Sequence, residues 1–218
     1  IDRVSASANM NNRLSEAIVE TYKSTNGAPI SFELMLKCYQ SRMKDANNDD
    51  SISSVLKQLV NAHIFESEDK VSLIDDSYII KMDGYPKDGP IAKAIVYFLM
   101  SKLNNIYELL DKQAVNDEVV QIRHFSIIDE AHYMLDFDNR PLRNLIAVGR
   151  NKGLSIILAT QNMSSFKSKG FDFYANAQYP LIMKQQTIDD KVIKDLFGVS
   201  GQELQEIRTA IAGLQKGE

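Results

Sequence analysis

His124-Phe125-Ser126-Ile127-Ile128-Asp129-Glu130-Ala131-His132 is the stretch on which the reading of this chain turns. Phe125 to Ile128 predict a short buried strand, because a parallel strand covered on both faces can be continuously apolar. Two carboxylates then stand at its C-terminal end, where open α/β sheets place their ligands. Nucleoside triphosphate hydrolysis needs such a pair. Asp129 would hold Mg²⁺ through its water shell, since Mg²⁺ dehydrates reluctantly. Glu130 would polarise the attacking water. The plainer reading is that acids suit the first turn of a following helix.

Working outward, Leu154-Ser155-Ile156-Ile157-Leu158-Ala159-Thr160-Gln161 reads as a second buried strand ending in a polar pair. On a neighbouring strand Gln161 would reach the γ-phosphate end of the site, where an amide can donate to phosphate and accept from water. Between the strands lies Val148-Gly149-Arg150-Asn151-Lys152-Gly153. Gly153 predicts the stop of a helix that begins near Pro141. Arg150 falls in the last turn of that helix, as a partner of its dipole or at an edge within reach of a neighbouring subunit.

This ordered triple, hydrophobic-Asp-Glu-Ala-His, Gly-Arg-x-x-Gly and Ala-Thr-Gln, resembles the HerA/FtsK group of hexameric P-loop ATPases. The group includes DNA-pumping translocases and conjugative secretion ATPases. The resemblance covers residues 77–218, about two thirds of the chain. It implies an α/β, RecA-like P-loop NTPase core, partly truncated, with a mainly parallel sheet and flanking helices. It makes Asp129 and Glu130 the Walker B pair, Gln161 the sensor and Arg150 an arginine finger. It also implies ATP and Mg²⁺ as cofactors, double-stranded DNA as the track, and a homo-oligomer, a hexamer, in a cytoplasmic setting. The layout around Lys81-Met82-Asp83-Gly84 further suggests a HerA-like component of phosphorothioation-dependent DNA restriction, with other restriction proteins as partners. One departure stands out. No Gly-x-x-x-x-Gly-Lys-Ser/Thr occurs in the 218 residues. The resemblance therefore places the phosphate loop upstream, and the chain alone is expected to be inactive.

Three other readings compete: a conjugative type IV secretion ATPase, a DEAH-box helicase piece, and a non-catalytic partner-binding module. The helicase reading rests on Asp129-Glu130-Ala131-His132 and Ala159-Thr160. It lacks the Ser-Ala-Thr of that family and any later Gln-x-x-Gly-Arg-x-Gly-Arg.

Composition bounds the rest. Hydrophobic residues at 44% and charged residues at 25% suit an ordinary globular chain. The single Cys38 excludes an internal disulfide. No apolar run approaches the roughly 18 residues of a membrane span, so no membrane partner is expected. A net charge of −4 does not advertise nucleic-acid binding by the bulk surface. The start at Ile1, without Met, reads as a fragment or processed product.

Residues 1–76 read as a small helical domain and 77–218 as the C-terminal part of the ATPase core. Residues 1–11 are polar and aperiodic, a tail. Helices are expected over 13–23, after a Ser31 cap, and after a Ser51 cap, with a hairpin at Ile64-Phe65-Glu66 and Lys70-Val71-Ser72-Leu73. Such a set fits a winged-helix DNA reader or a packing domain. The helix after Ser51 carries only Lys57 as a cation, which favours packing. It also resembles the helical insertion common in HerA-like proteins.

Further strands are expected over 77–83 and 179–183, and helices over 91–112, 188–197 and from Ser200 to before Gly213. The 91–112 helix should bury Ile91, Ala94, Ile95, Phe98, Leu99, Leu103, Ile106, Leu109 and Leu110. His132, two positions after Glu130, could line the site, but a histidine here is more often a packing or capping residue. His63 and His124 have no partners at metal spacing. Lys167 and Lys169 read as solvated loop charges and Asp83 as turn chemistry.

Overall fold

Polar punctuation starts each helix of the N-terminal part. The computed structural model describes residues 6–26, 29–45, 47–64, 72–116, 119–168 and 171–215, and the chain divides into two compact units, Ile1–Ile95 and Val96–Glu218. In the first unit Ser7 caps α1 (Ala8–Ser24), Ser31 caps α2 (Phe32–Gln40) and Asp50 caps α3 (Ser51–Asn61). Each cap side chain accepts a backbone N–H that the first turn cannot otherwise satisfy. The helix therefore begins at Ala8, inside the stretch expected to be a tail. At α3 the cap is Asp50, not Ser51, and Ser53 returns a bond to the Asp50 N–H to close a capping box.

Asp50 also joins the helices to one another. Its Oδ2 accepts from the Tyr39 hydroxyl of α2 at 2.7 Å and from Arg13 Nη1 of α1 at 3.0 Å. The Arg13 guanidinium lies 5.5 Å from the Tyr39 ring centre. Around this node Ala17, Thr21, Tyr39, Ile52, Ser53, Leu56 and Leu59 are buried. Burial alone pushes the Asp50 carboxyl up. The Ser53 and Tyr39 hydrogen bonds and the Arg13 charge outweigh it, and the group sits below the usual carboxylate range. Burial, with Asp50 behind it, pushes Tyr39 up to about 12. Of the expected hairpin, Phe65, Glu66, Lys70 and Val71 lie outside the described residues, and Ile64, Ser72 and Leu73 are in no strand.

α4 (Pro90–Leu109) crosses the boundary between the units, with proline at the first turn as expected. Its buried side chains include Val96, Leu103, Asn104 and Tyr107, while Phe98 is half exposed and Leu109 is 89% exposed. The apolar stripe is therefore rotated and shorter at its end than the spacing implies. Lys152 explains the clean stop. Its Nζ donates to the Tyr107 and Glu108 carbonyls at 2.5 and 2.9 Å, placing a cation on the carbonyls of the last turn.

Two two-residue strands follow, β1 (Val115–Asn116) and β2 (Val119–Val120), paired antiparallel. β3 (His124–Ile128) then leads to the one-turn helix α5 (His132–Leu135) and to α6 (Arg140–Val148), capped by Asn139. A 3₁₀ turn, Gly149–Lys152, carries the chain to Gly153 at φ +80°. A Cβ there would stand 2.7 Å from the Gln121 carbonyl oxygen, so both the handedness and the space require glycine. β4 (Leu154–Leu158) pairs parallel with β3 in the register His124↔Leu154 to Ile128↔Leu158. A last small ladder, β5 (Lys167–Ser168) with β6 (Phe171–Asp172), precedes α7 (Phe173–Asn176), α8 (Asp190–Phe197) and α9 (Gly201–Gly213).

The molecule is thus mixed α/β with a small parallel sheet. The inner face of that sheet belongs to a core of Ile128, Ala131, Leu135, Leu142 and Phe173, with Ile156 and Leu158 packed against it. A second core joins Ile193, Leu204 and Ile211 between α8 and α9. Three expectations are corrected. The sheet is covered on one face only: Phe125, Ile127 and Ile157 point outward, Ile127 being 70% exposed. Residues 77–83 form no strand, and Ile79 is 88% exposed. Residues 179–183 likewise form no strand, and Leu181 is 91% exposed. Both segments have the right composition, but a strand exists only by pairing.

Replacing Asp50 with Ala removes a cap and orphans two partners. Protection of the Ile52 and Ser53 amides against hydrogen exchange should fall about thirtyfold, equivalent to about 2 kcal/mol. In the wild type the folded carboxyl titrates below its unfolded value, so this stabilisation is complete above about pH 4 and drains away as pH falls through the lowered folded pKa. Unchanged protection in Asp50→Ala would deny the node its role.

Candidate functional site

Parallel pairing brings the C-terminal ends of β3 and β4 side by side. The ladder runs on past both strands: the Ala159 N–H donates to the Ile128 carbonyl at 2.9 Å and the Ala131 N–H to the Ala159 carbonyl at 2.8 Å. With the backbone fixed at this point, Asp129-Glu130 and Thr160-Gln161 must face one another. Gln161 Nε2 donates to Glu130 Oε1 at 2.7 Å. The structure therefore brings together Asp129, Glu130 and Gln161, which lie more than thirty positions apart at their ends. The Thr160 hydroxyl donates to the Asn162 carbonyl at 2.8 Å and fixes the turn that presents Gln161.

Glu130 sits at φ +51°, the left-handed region. For a residue with a Cβ that backbone costs about 1–2 kcal/mol. Its N–H is satisfied by Asp129 Oδ1 at 2.9 Å, and its carbonyl accepts from Tyr133 N–H at 3.1 Å, which begins α5. The turn swings the Glu130 side chain out of the strand direction and onto Gln161. Ala131, fully buried, anchors it from below. Such strain persists where the surroundings over-determine it and is common at working sites.

His132 is closer to this chemistry than its sequence position suggests. Its Nδ1 lies 3.3 Å from Glu130 Oε2. Neither atom is solvent-accessible, and neither makes a hydrogen bond. The Glu-x-His spacing across a helix start was the available signal.

Arg150 is not part of this cluster. It stands exposed in the 3₁₀ turn that precedes β4, at the opposite end of the sheet, on the order of 20 Å from Gln161 by strand rise. With the Gln178 amide oriented so that its oxygen faces the guanidinium, Gln178 accepts from Arg150 Nη1 and Nε at 2.5 and 3.1 Å. Nothing in the sequence flagged Gln178. Lys152 is engaged on α4, and Arg143 with Asp138. The side chains of Lys167 and Lys169 lie outside the described residues.

Asp129 is exposed at the end of β3, a position from which a carboxylate can hold hydrated Mg²⁺. Among the described residues no three of His, Cys, Asp and Glu converge as a metal cage. A donor set of one carboxylate fits Mg²⁺ shared with phosphates and water. Just past Gln161 an open cleft of about 560 Å³ is lined by Asn162, Ser164, Asp189, Asp190 and Arg208. Asp190 is paired with Arg208 at 3.1 Å, and Lys191 also lines the cleft, so its two acids face two cations. Among the described residues no helix is long and apolar enough to cross a membrane.

No protein-family model matches the chain, and no curated protein matches it significantly. The geometry of the strand ends therefore carries the functional argument.

The backbone at Glu130 gives a test that needs no ligand. Glu130→Gly and Glu130→Ala both delete the carboxylate, but only glycine relieves the left-handed strain. The glycine variant should be more stable than the alanine variant by about 1 kcal/mol in thermal or urea unfolding. Equal stabilities would mean that the turn relaxes out of the left-handed region.

Proposed function

We propose that this chain carries the hydrolytic half of an ATP-driven motor of the HerA/FtsK type, acting on double-stranded DNA. The observation that supports this most directly is the 2.7 Å contact between Glu130 and Gln161 across two parallel strand ends, with Asp129 beside it. An acid at one strand end and an amide at the next are the groups that water activation and phosphate sensing require.

In this reading water would attack the γ-phosphorus of ATP, the new P–O bond forming as the bond to the bridging oxygen breaks and ADP leaves. Asp129 would hold Mg²⁺ through its water shell. Glu130 takes the proton of the attacking water through its carboxylate. Gln161 fixes one oxygen of that carboxylate and is placed to reach the phosphate. Arg150 is too far along the sheet to serve this chain's own site, so it reaches the site of a neighbouring copy in a ring, a hexamer by the family resemblance. The triphosphate cradle is not among these 218 residues, and the reading requires another segment of the polypeptide to supply it. The resemblance around Lys81-Met82-Asp83-Gly84 supports a role in DNA restriction or defence, and the single Cys38 suits a reducing cytoplasm.

In the polypeptide that joins this chain to its phosphate loop, Glu130→Gln should abolish ATP turnover, a loss of at least about a hundredfold, while leaving ATP binding intact. Full turnover in that variant removes Glu130 from the mechanism. Arg150→Ala should act in trans. Rings mixed from wild-type and variant subunits should lose more ATPase than the variant fraction alone, and a strictly proportional loss would leave Arg150 a structural role only.

A further inference from the structure

The Glu130 carboxylate has two oxygens and, in the site as described, one partner. Gln161 Nε2 takes Oε1. Oε2 is shut off from solvent without a hydrogen bond, and so is His132 Nδ1, 3.3 Å away. A buried acceptor left unmade costs about 1–3 kcal/mol, and here two orphaned atoms face each other. If Nδ1 carried a lone pair, two acceptors would repel at close range. If Nδ1 carries the proton, a small rotation of the ring satisfies both atoms at once. The ring has a surface to turn against, for it rests on the Tyr133 ring with centres 4.1 Å apart at 38°.

We propose that His132 is a positioning residue for Glu130, donating from Nδ1 to Oε2 and so locking the carboxylate between an imidazole and the Gln161 amide. This rests on the reading of Glu130 as the water-activating acid. A carboxylate offers about four lone-pair directions. Two donors occupy one on each oxygen, and the second direction on Oε1 is left for an attacking water, since Oε2 is shut off from solvent. The lock matters because Glu130 projects from a single left-handed residue at the mouth of the sheet, where a free carboxylate would sample several rotamers. A misplacement of about 1 Å costs on the order of a hundredfold in rate.

Two measurements separate this contact from simple packing. In the chain itself, long-range ¹H–¹⁵N spectra under alkaline conditions should show His132 as the Nδ1–H tautomer, with a shift towards the commoner Nε2–H form in Glu130→Ala. An Nε2–H tautomer in the wild type, or no change in Glu130→Ala, overturns the proposal. In the ATP-hydrolysing polypeptide, His132→Asn places an amide N–H close to where Nδ1 stood and should keep kcat within about threefold. His132→Phe keeps the ring and its stacking but loses the donor; it should lower kcat about tenfold to a hundredfold with KM unchanged, as should His132→Ala. Retained kcat in His132→Phe with loss in His132→Asn would show a packing role and overturn the proposal. Full turnover in Glu130→Gln would sink the reading of the site and with it the catalytic role of His132, while the tautomer result would still decide whether the contact exists.

Discussion

Everything near the candidate site depends on one piece of backbone hydrogen bonding, the parallel pairing of β3 with β4 and its continuation by one bond on each side. The five matched residue pairs fix the register, and the Ala159 to Ile128 and Ala131 to Ala159 bonds carry it beyond the last strand residue. A slip of β4 by one residue against β3 would turn Ile156 and Leu158 out of the core and bring Ile157 inward. It would also move Gln161 off Glu130. The core of Leu135, Leu142 and Phe173 therefore enforces the chemistry indirectly, by allowing only the register that joins the acid to the amide.

The two units hold together by different physics. In the C-terminal unit apolar burial does most of the work, with Lys152 tying the connection after α6 to the end of α4. In the N-terminal unit a charged node is central. Asp50 ends a polar loop, caps α3, and reaches both other helices. Such a node is stabilising only when every partner is present, because a buried group that loses its partner costs more than the bond contributed.

Much of this was legible in the sequence. The apolar runs at 125–128 and 154–158, the Pro141 start, the Gly153 stop and the Ser31 cap are local signals with local causes, and each appears where its chemistry predicts. Capping at Asp50 instead of Ser51 is a one-residue difference between two good cap residues. What the sequence could not convey was pairing and direction. Residues 77–83 and 179–183 have strand composition but no partner. The stripe of α4 contained more apolar residues than its surroundings cover. At the site, adjacency of Asp129 and Glu130 was plain, but the left-handed backbone that aims Glu130, the approach of His132 and the Gln178 contact of Arg150 arise from tertiary structure.

The outward face of the parallel sheet has a practical consequence. Phe125, Ile127 and Ile157 lie in water on strands whose outer edges pair with no other described strand. The β4 segment Leu-Ser-Ile-Ile-Leu contains neither charge nor proline, the two devices by which chains discourage edge-to-edge stacking. Handling of the isolated polypeptide is therefore governed by this one strand. Its concentration limit should respond to a single lysine introduced at Ile157 more than to any adjustment of overall charge, and storage conditions that strengthen apolar association, such as high sulfate, should be the ones it tolerates least.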